Sequence, residues 1–210
     1  MKIKLLTISL LVFISVGLFA QKGTASYGVA KEKFNIGVKI GLNQSKQNIK
    51  YNASDFPFNL KTSLYTSFHV GVFGEFILSD RLELKPEILF SKEGSNIDLG
   101  IINFDQTLSY LKMPVLLKVK PFKNNFSIIA GPQFGLLLSD KLDLPVGDAD
   151  LIKNSFKSFE LSATVGLEFD MSNRFIIGSR YNFGLTNSSN DIISTLKNKN
   201  LQFYLGFRIF

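Results

Sequence analysis

Charged side chains of both signs recur at alternate positions of the apolar segments: Lys39, Glu75, Arg81, Glu83, Lys85, Glu87, Lys112, Lys118, Glu160, Glu168, Arg174, Arg180 and Arg208. Two kinds of chemistry fit such a set. Acids and bases lining a wet path would conduct ions. The same groups facing one another across a narrow interior would fill it as an ion-pair network, since a buried charge survives desolvation only with a partner. His69 is the single histidine, so a metal centre would have to be built from carboxylates alone, and none is expected. Hydrolysis needs a base beside a nucleophile or an activated water. Ser67 lies two residues from His69 on the same face, and Glu75 is roughly 20 Å further along an extended strand. A polar rim residue is the plainer reading of His69. No catalytic, metal-binding or cofactor-binding residue is therefore expected, and no cofactor. The glycines fall at strand spacing and form no phosphate-binding loop.

The elements that must position these charges read as strands, because apolar residues alternate with them at period two. In 34–42 the apolar set is Phe34, Ile36, Val38, Ile40 and Leu42; in 66–78 it is Phe68, Val70, Val72, Phe76 and Leu78. Segment 81–90 places Leu82, Leu84, Ile88 and Phe90 against Arg81, Glu83, Lys85 and Glu87. Segment 108–120 sets Leu111, Met113, Val115, Leu117 and Val119 against Tyr110, Lys112, Lys118 and Lys120. Four more segments follow, 126–139, 158–170, 174–186 and 200–210. Each is about ten residues, the length of a tilted strand crossing a bilayer. Apolar-out and polar-in alternation is the pattern of a barrel in lipid, whereas a soluble barrel turns its apolar face inward.

Loop lengths agree with this reading. Connections at Ser79-Asp80, 121–125 and 171–173 are short, while those at 43–65, 91–107, 140–157 and 187–199 are long. Short periplasmic turns and long outer loops are how outer-membrane barrels are built. The expected fold is all-β, an eight-stranded antiparallel up-and-down transmembrane β-barrel over residues 34–210. Residues 1–20 read as a signal peptide: Lys2 and Lys4 precede an apolar run from Leu5 to Phe19, then Ala20 and the polar Gln21-Lys22. Residues 21–33 are expected to form an amino-terminal periplasmic segment. Phenylalanine is abundant at 21 residues and cysteine is absent, which favours strands and excludes a disulfide scaffold and a lipid-anchored cysteine. The formal charge of +7 falls to +5 without Lys2 and Lys4, and its scatter argues against a nucleic-acid partner. Pro86, Pro114 and Pro132 lie inside proposed strands, where each deletes a ladder hydrogen bond. Bulges or positions near a rim are the expected accommodation.

Several runs carry a resemblance. Gly37-Val38-Lys39-Ile40-Gly41-Leu42-Asn43 resembles the first strand of the PorT-like outer-membrane β-barrel family of Bacteroidetes. Leu84-Lys85-Pro86-Glu87-Ile88-Leu89-Phe90-Ser91-Lys92-Glu93-Gly94 and Tyr110-Leu111-Lys112-Met113-Pro114-Val115-Leu116-Leu117-Lys118 are similar to two more of its strands. Ala130-Gly131-Pro132 and Arg180-Tyr181-Asn182-Phe183-Gly184-Leu185-Thr186 complete the set. The resemblance covers most of 34–210 and places all three prolines at family positions. It implies fold and location more strongly than task, with one branch of the family tied to protein secretion. Position 112 departs from it, being Lys where the family has an acid, and Phe210 falls out of phase with Phe203, Leu205, Phe207 and Ile209.

The expected location is the outer membrane of a Gram-negative bacterium, with outer-membrane lipid as one partner. A structural or binding barrel leads, with a plugged lumen and outer loops that contact envelope or secretion proteins. A small-solute channel is the alternative, and a barrel enzyme is third. Phe56-Pro57-Phe58, with Tyr51 and Tyr65, reads either as a contact surface or as part of an interfacial aromatic belt.

Overall fold

The computed structural model describes residues 34–51, 61–98, 103–122, 124–143, 157–188 and 194–209. The expected signal peptide, the periplasmic segment and Phe56-Pro57-Phe58 lie outside these residues. Among the described residues there are nine strands: β1 (Phe34–Tyr51), β2 (Lys61–Ser63), β3 (Tyr65–Ser79), β4 (Leu82–Asp98), β5 (Asn103–Val119), β6 (Phe126–Asp143), β7 (Phe159–Asp170), β8 (Phe175–Gly184) and β9 (Ser194–Arg208). Leu64 alone separates β2 from β3, and β2 pairs with Asn96–Asp98 of β4, so the two make one wall strand. Every pairing is antiparallel, β1 pairs with β9, and β4 pairs with β5. The result is a closed barrel of eight walls. Closure gives every wall two neighbours, which is what lets strands cross lipid without unpaired backbone.

The registers fix the barrel's shape. One row of paired residues runs Phe34, Phe76, Leu84, Leu117, Ala130, Val165, Tyr181, Leu201 and back to β1 at Gln44. The row returns ten residues beyond its start, which for eight strands tilts them by about 40°. Seven of these nine residues are apolar, and they lie on the outer face. Ile40, Leu42, Val70, Val72, Leu117, Val165, Leu205 and many like them are also exposed there.

Phenylalanines rim this face in two girdles. Phe34, Phe76, Phe126, Phe169, Phe175 and Phe207 lie near the short turns; Phe68, Phe90, Phe134 and Phe183 lie eight residues further along β3, β6 and β8, or beside them. At the rise of a tilted strand, eight residues span about 20 Å of height. The apolar band between the girdles therefore matches a thin bilayer.

Two expectations need correction. The strands run well past the outer girdle: β1 reaches Tyr51, β4 reaches Asp98, β5 begins at Asn103, β6 reaches Asp143 and β9 begins at Ser194. Much of what read as long loop is strand. Polar residues predominate on both faces there, with Leu108 and Leu196 as buried exceptions, so hydrophobic alternation fades while backbone pairing continues. The prolines are the second correction. Pairing keeps one register through Pro86, Pro114 and Pro132, and the two register shifts fall elsewhere, at Ile77/Ser79 and Ser109/Tyr110. Each proline instead leaves a local gap in one ladder. Pro86 is unpaired on the β3 side, Pro114 on the β4 side and Pro132 on the β5 side, and each remains paired on its other side. A proline lacks only its own N–H, so a strand bonded on both sides loses one rung without slipping.

Candidate functional site in the barrel lumen

The inward positions carry the chemistry. Lys39, Glu75, Glu83, Lys85, Glu87, Lys112, Lys118, Glu160, Glu168, Arg180 and Arg208 are all buried inside the barrel. Arg81 and Arg174 are not among them. Both are exposed, Arg81 in the Asp80-Arg81 turn and Arg174 in the bend before β8. A tight turn breaks the strand's period, so side-chain direction can no longer be extrapolated from it. Their carbonyls instead accept from Lys120 and Arg208 at the rim.

The charges are stacked in three tiers. Nearest the short turns, Lys85 Nζ lies 2.6 Å from Glu168 and 3.3 Å from Glu75. Lys118 Nζ sits among Glu168, Asp170 and Glu75 at 3.2, 3.2 and 3.4 Å. Arg208 bridges Glu75 and Asp170 at 2.6 Å each, and Lys120 pairs with Glu83. In the middle tier Glu87 is shared by Lys39 and Arg180, the latter at 2.7 Å. Arg180 Nε donates to Gln202, whose amide donates to Asn43 Oδ1 at 2.7 Å, and His69 Nδ1 lies 2.8 Å from the same oxygen. In the outer tier Lys112 meets Glu160 at 3.0 Å and Glu93 at 3.5 Å. Asn198 and Asn200 donate to those two carboxylates at 2.6 and 3.1 Å.

Aromatic rings fill the space between tiers. Phe73, Tyr110 and Tyr204 are buried, as are Leu89, Leu116 and Ile129. Lys39 Nζ sits 3.9 Å from the centre of the Tyr204 ring, Lys85 Nζ 4.4 Å from Phe73, and Lys112 Nζ 3.9 Å from Tyr110. The ring faces thus supply further electrostatic partners to desolvated ammonium groups. Glycine makes the room. A methyl group on Gly178 would lie 2.4 Å from the Tyr204 ring, and one on Gly37 would lie 2.3 Å from Phe73. Small residues facing large ones across a tapering interior are how small barrels are packed.

Among the described residues, the ion pairs join seven acids (Glu75, Glu83, Glu87, Glu93, Glu160, Glu168, Asp170) to seven bases (Lys39, Lys85, Lys112, Lys118, Lys120, Arg180, Arg208). The network is electrically neutral. Lys112 is the one cation between the two carboxylates of the outer tier, and the two cations on Glu87 in the middle tier balance the count. Glu93, Lys120 and Asp170 are members beyond the expected set. The signal for them was the same period-two phase, carried past the apolar segments from Glu87, Lys118 and Glu168.

The catalytic alternative finds no dyad at His69. Ser67 donates its hydroxyl to the Lys92 carbonyl at 2.6 Å, while His69 engages Asn43. Among the described residues no group of His, Cys, Asp and Glu is arranged to hold a metal ion.

Several solved structures are similar to this chain. Neisserial surface protein A shares 10% identity over 82% of this chain and 96% of its own, with a TM-score of 0.52. Ail, the attachment invasion locus protein of Yersinia pestis, shares 14% identity over 84% of this chain and 99% of its own, with a TM-score of 0.47. OprG from Pseudomonas aeruginosa shares 10% identity over 84% of this chain and 95% of its own, at 0.45. At 10% identity the likeness to Neisserial surface protein A speaks to fold alone. No curated protein matches the sequence. The profile of the outer membrane protein beta-barrel domain matches residues 19–190, more than half of the chain. The chain therefore belongs to the outer membrane protein beta-barrel domain family.

Proposed function

We propose that this chain is a PorT-like barrel with a plugged lumen, whose outer strand ends bind a partner in envelope assembly or protein secretion. The observation that carries the proposal is the neutral seven-by-seven network, with Phe73, Tyr110 and Tyr204 packed between its tiers. An eight-stranded barrel has an interior about wide enough for side chains to fill. Here those side chains are long, oppositely charged and hydrogen-bonded to one another, which supports a closed interior over a conducting one. The reading has no catalytic step and no cofactor, in keeping with the engagement of His69 by Asn43. With the lumen closed, the polar strand ends beyond the outer girdle are the surfaces left to meet other proteins.

One observation favours the small-solute channel as the second reading. His69 Nε2, Gln133 Oε1, Arg180 Nη2 and Asn182 Nδ2 are buried without a protein partner, and such groups are commonly satisfied by internal water. Planar-bilayer recording separates the two. The plugged barrel gives no reproducible unitary conductance. Steady, ion-selective steps from the unmutated protein would make the channel the better reading.

A further inference from the structure

The outer face of the barrel is not uniform just above the outer girdle. On β1 and β9, Lys46 is the direct cross-strand partner of Lys199, and Lys197 lies two residues further along the same face. Lys199 in turn pairs with Phe183 of the girdle. Lys92, two residues beyond Phe90, lies nearby with its ammonium 5.5 Å from the Phe68 ring. Away from this seam, Leu138 of β6 and Leu161 of β7 lie on the outer face at comparable heights, and Asp105 of β5 lies beyond them. Basic residues are thus gathered on one sector, at the level where the apolar band ends.

Like charges directly opposite on a strand pair are destabilising. Among the described residues, no carboxylate relieves this one, for Lys46, Lys197 and Lys199 make no ion pair. The lumenal lysines, by contrast, are all paired. An anion supplied from outside the chain would remove the repulsion. The anion's source follows from position: below the lysines on the same two strands, Leu42, Phe203 and Leu205 are exposed to the bilayer. A ligand fitting both surfaces carries phosphate at its head and acyl chains beneath.

We propose that the β1–β9 face, through Lys46, Lys197 and Lys199, binds the phosphorylated headgroup of an outer-leaflet glycolipid whose acyl chains lie along Leu42, Phe203 and Leu205. The site rests on the outer-membrane placement and not on the plugged lumen, so conductance, whichever way it falls, leaves it standing. Occupancy of this sector would orient the barrel among its lipids and leave the opposite sector free.

The test is native mass spectrometry of the folded full-length mature protein released from micelles. It is loaded with bisphosphorylated lipid A, with the same lipid stripped of phosphate, or with phosphatidylcholine. The unmutated protein should retain the bisphosphorylated lipid at least tenfold better than either of the others. The triple variant K46Q/K197Q/K199Q should lose that preference, while R81Q, at the periplasmic turn, should keep it. Heat-modifiable migration checks that each variant is folded. If the triple variant fails to insert, K199Q alone, which breaks the like-charge pair, should lower the preference several-fold. Equal retention of phosphorylated and stripped lipid, or an unchanged preference in a folded variant, overturns the proposal. Displacement by inorganic pyrophosphate as effectively as by lipid overturns the lipid assignment as well.

Discussion

Glu87 shows what a single residue does in this lumen. It is fully enclosed and shared by two cations, Lys39 and Arg180. Removing one partner of a buried pair leaves an uncompensated charge and typically costs about 3–5 kcal/mol. Glu87→Gln strands two cations at once. Arg180→Gln strands none, since Lys39 still neutralises Glu87. Glu87→Gln should therefore destabilise the barrel more than Arg180→Gln, read as the larger drop in urea midpoint for the protein folded in lipid. Equal drops would mean that the two cations are not both held by Glu87. Gly178 offers a steric counterpart. A methyl group there meets the Tyr204 ring at 2.4 Å, so Gly178→Ala should slow folding or lower stability. Adding Tyr204→Leu should restore part of the loss by freeing the space.

At the scale of the strand, the two phases make opposite demands on the same substitution. Val72 lies midway between Phe76 and Phe68, the two girdle residues of β3, and is 45% exposed to the lipid side. Val72→Lys should cost roughly 2–4 kcal/mol near the bilayer midplane. Leu117→Lys, nearer the short turns, should cost less because the charge can reach the interface sooner. Urea titration of both variants in lipid vesicles gives the ordering, and equal tolerance would contradict the height of the band. The prolines make a second demand. Pro132 keeps its pairing to Ala163 on β7 but has a gap toward β5. Pro132→Val restores one backbone donor within the sheet, its side chain being exposed on the outer face, and should slow amide exchange locally at the β5–β6 seam without shifting the register. An altered exchange pattern along the whole of β6 would indicate slippage instead.

For the whole molecule, the lumenal network and the polar strand ends occupy different heights. All three charged tiers lie at or below Glu93 on β4 and Tyr110 on β5. The hairpin continues beyond them to Asp98 and from Asn103. Deleting 96–105 should therefore leave an inserted, heat-modifiable barrel. If the outer ends are the binding surface, the same deletion should abolish crosslinks to neighbouring proteins in native membranes. Loss of the folded band would show that the hairpin is needed for closure. Retention of every crosslink would move the contact surface to another strand end.

The sequence alone determined the strand phase, and with it the outer face, the inner face and the class of fold. Alternation is a local property of extended backbone: Leu82 and Leu84 face lipid because Glu83 and Lys85 do not, whatever the rest of the chain does. It also lost its grip where it should, at Arg81 and Arg174 in the turns, and along the polar strand ends whose two faces look alike. The choice of which charge meets which was left to the tertiary structure. Arg208 meets Glu75 across 133 residues of sequence, and Arg180 meets Glu87 across 93. Those partners depend on the height at which each strand passes its neighbours, and the ten-residue offset of the closed row accumulates over all eight registers. A shift of two residues at any one interface would preserve every inward and outward assignment and yet give the cations that pair across it different acids. The pairs exist only once the barrel is closed.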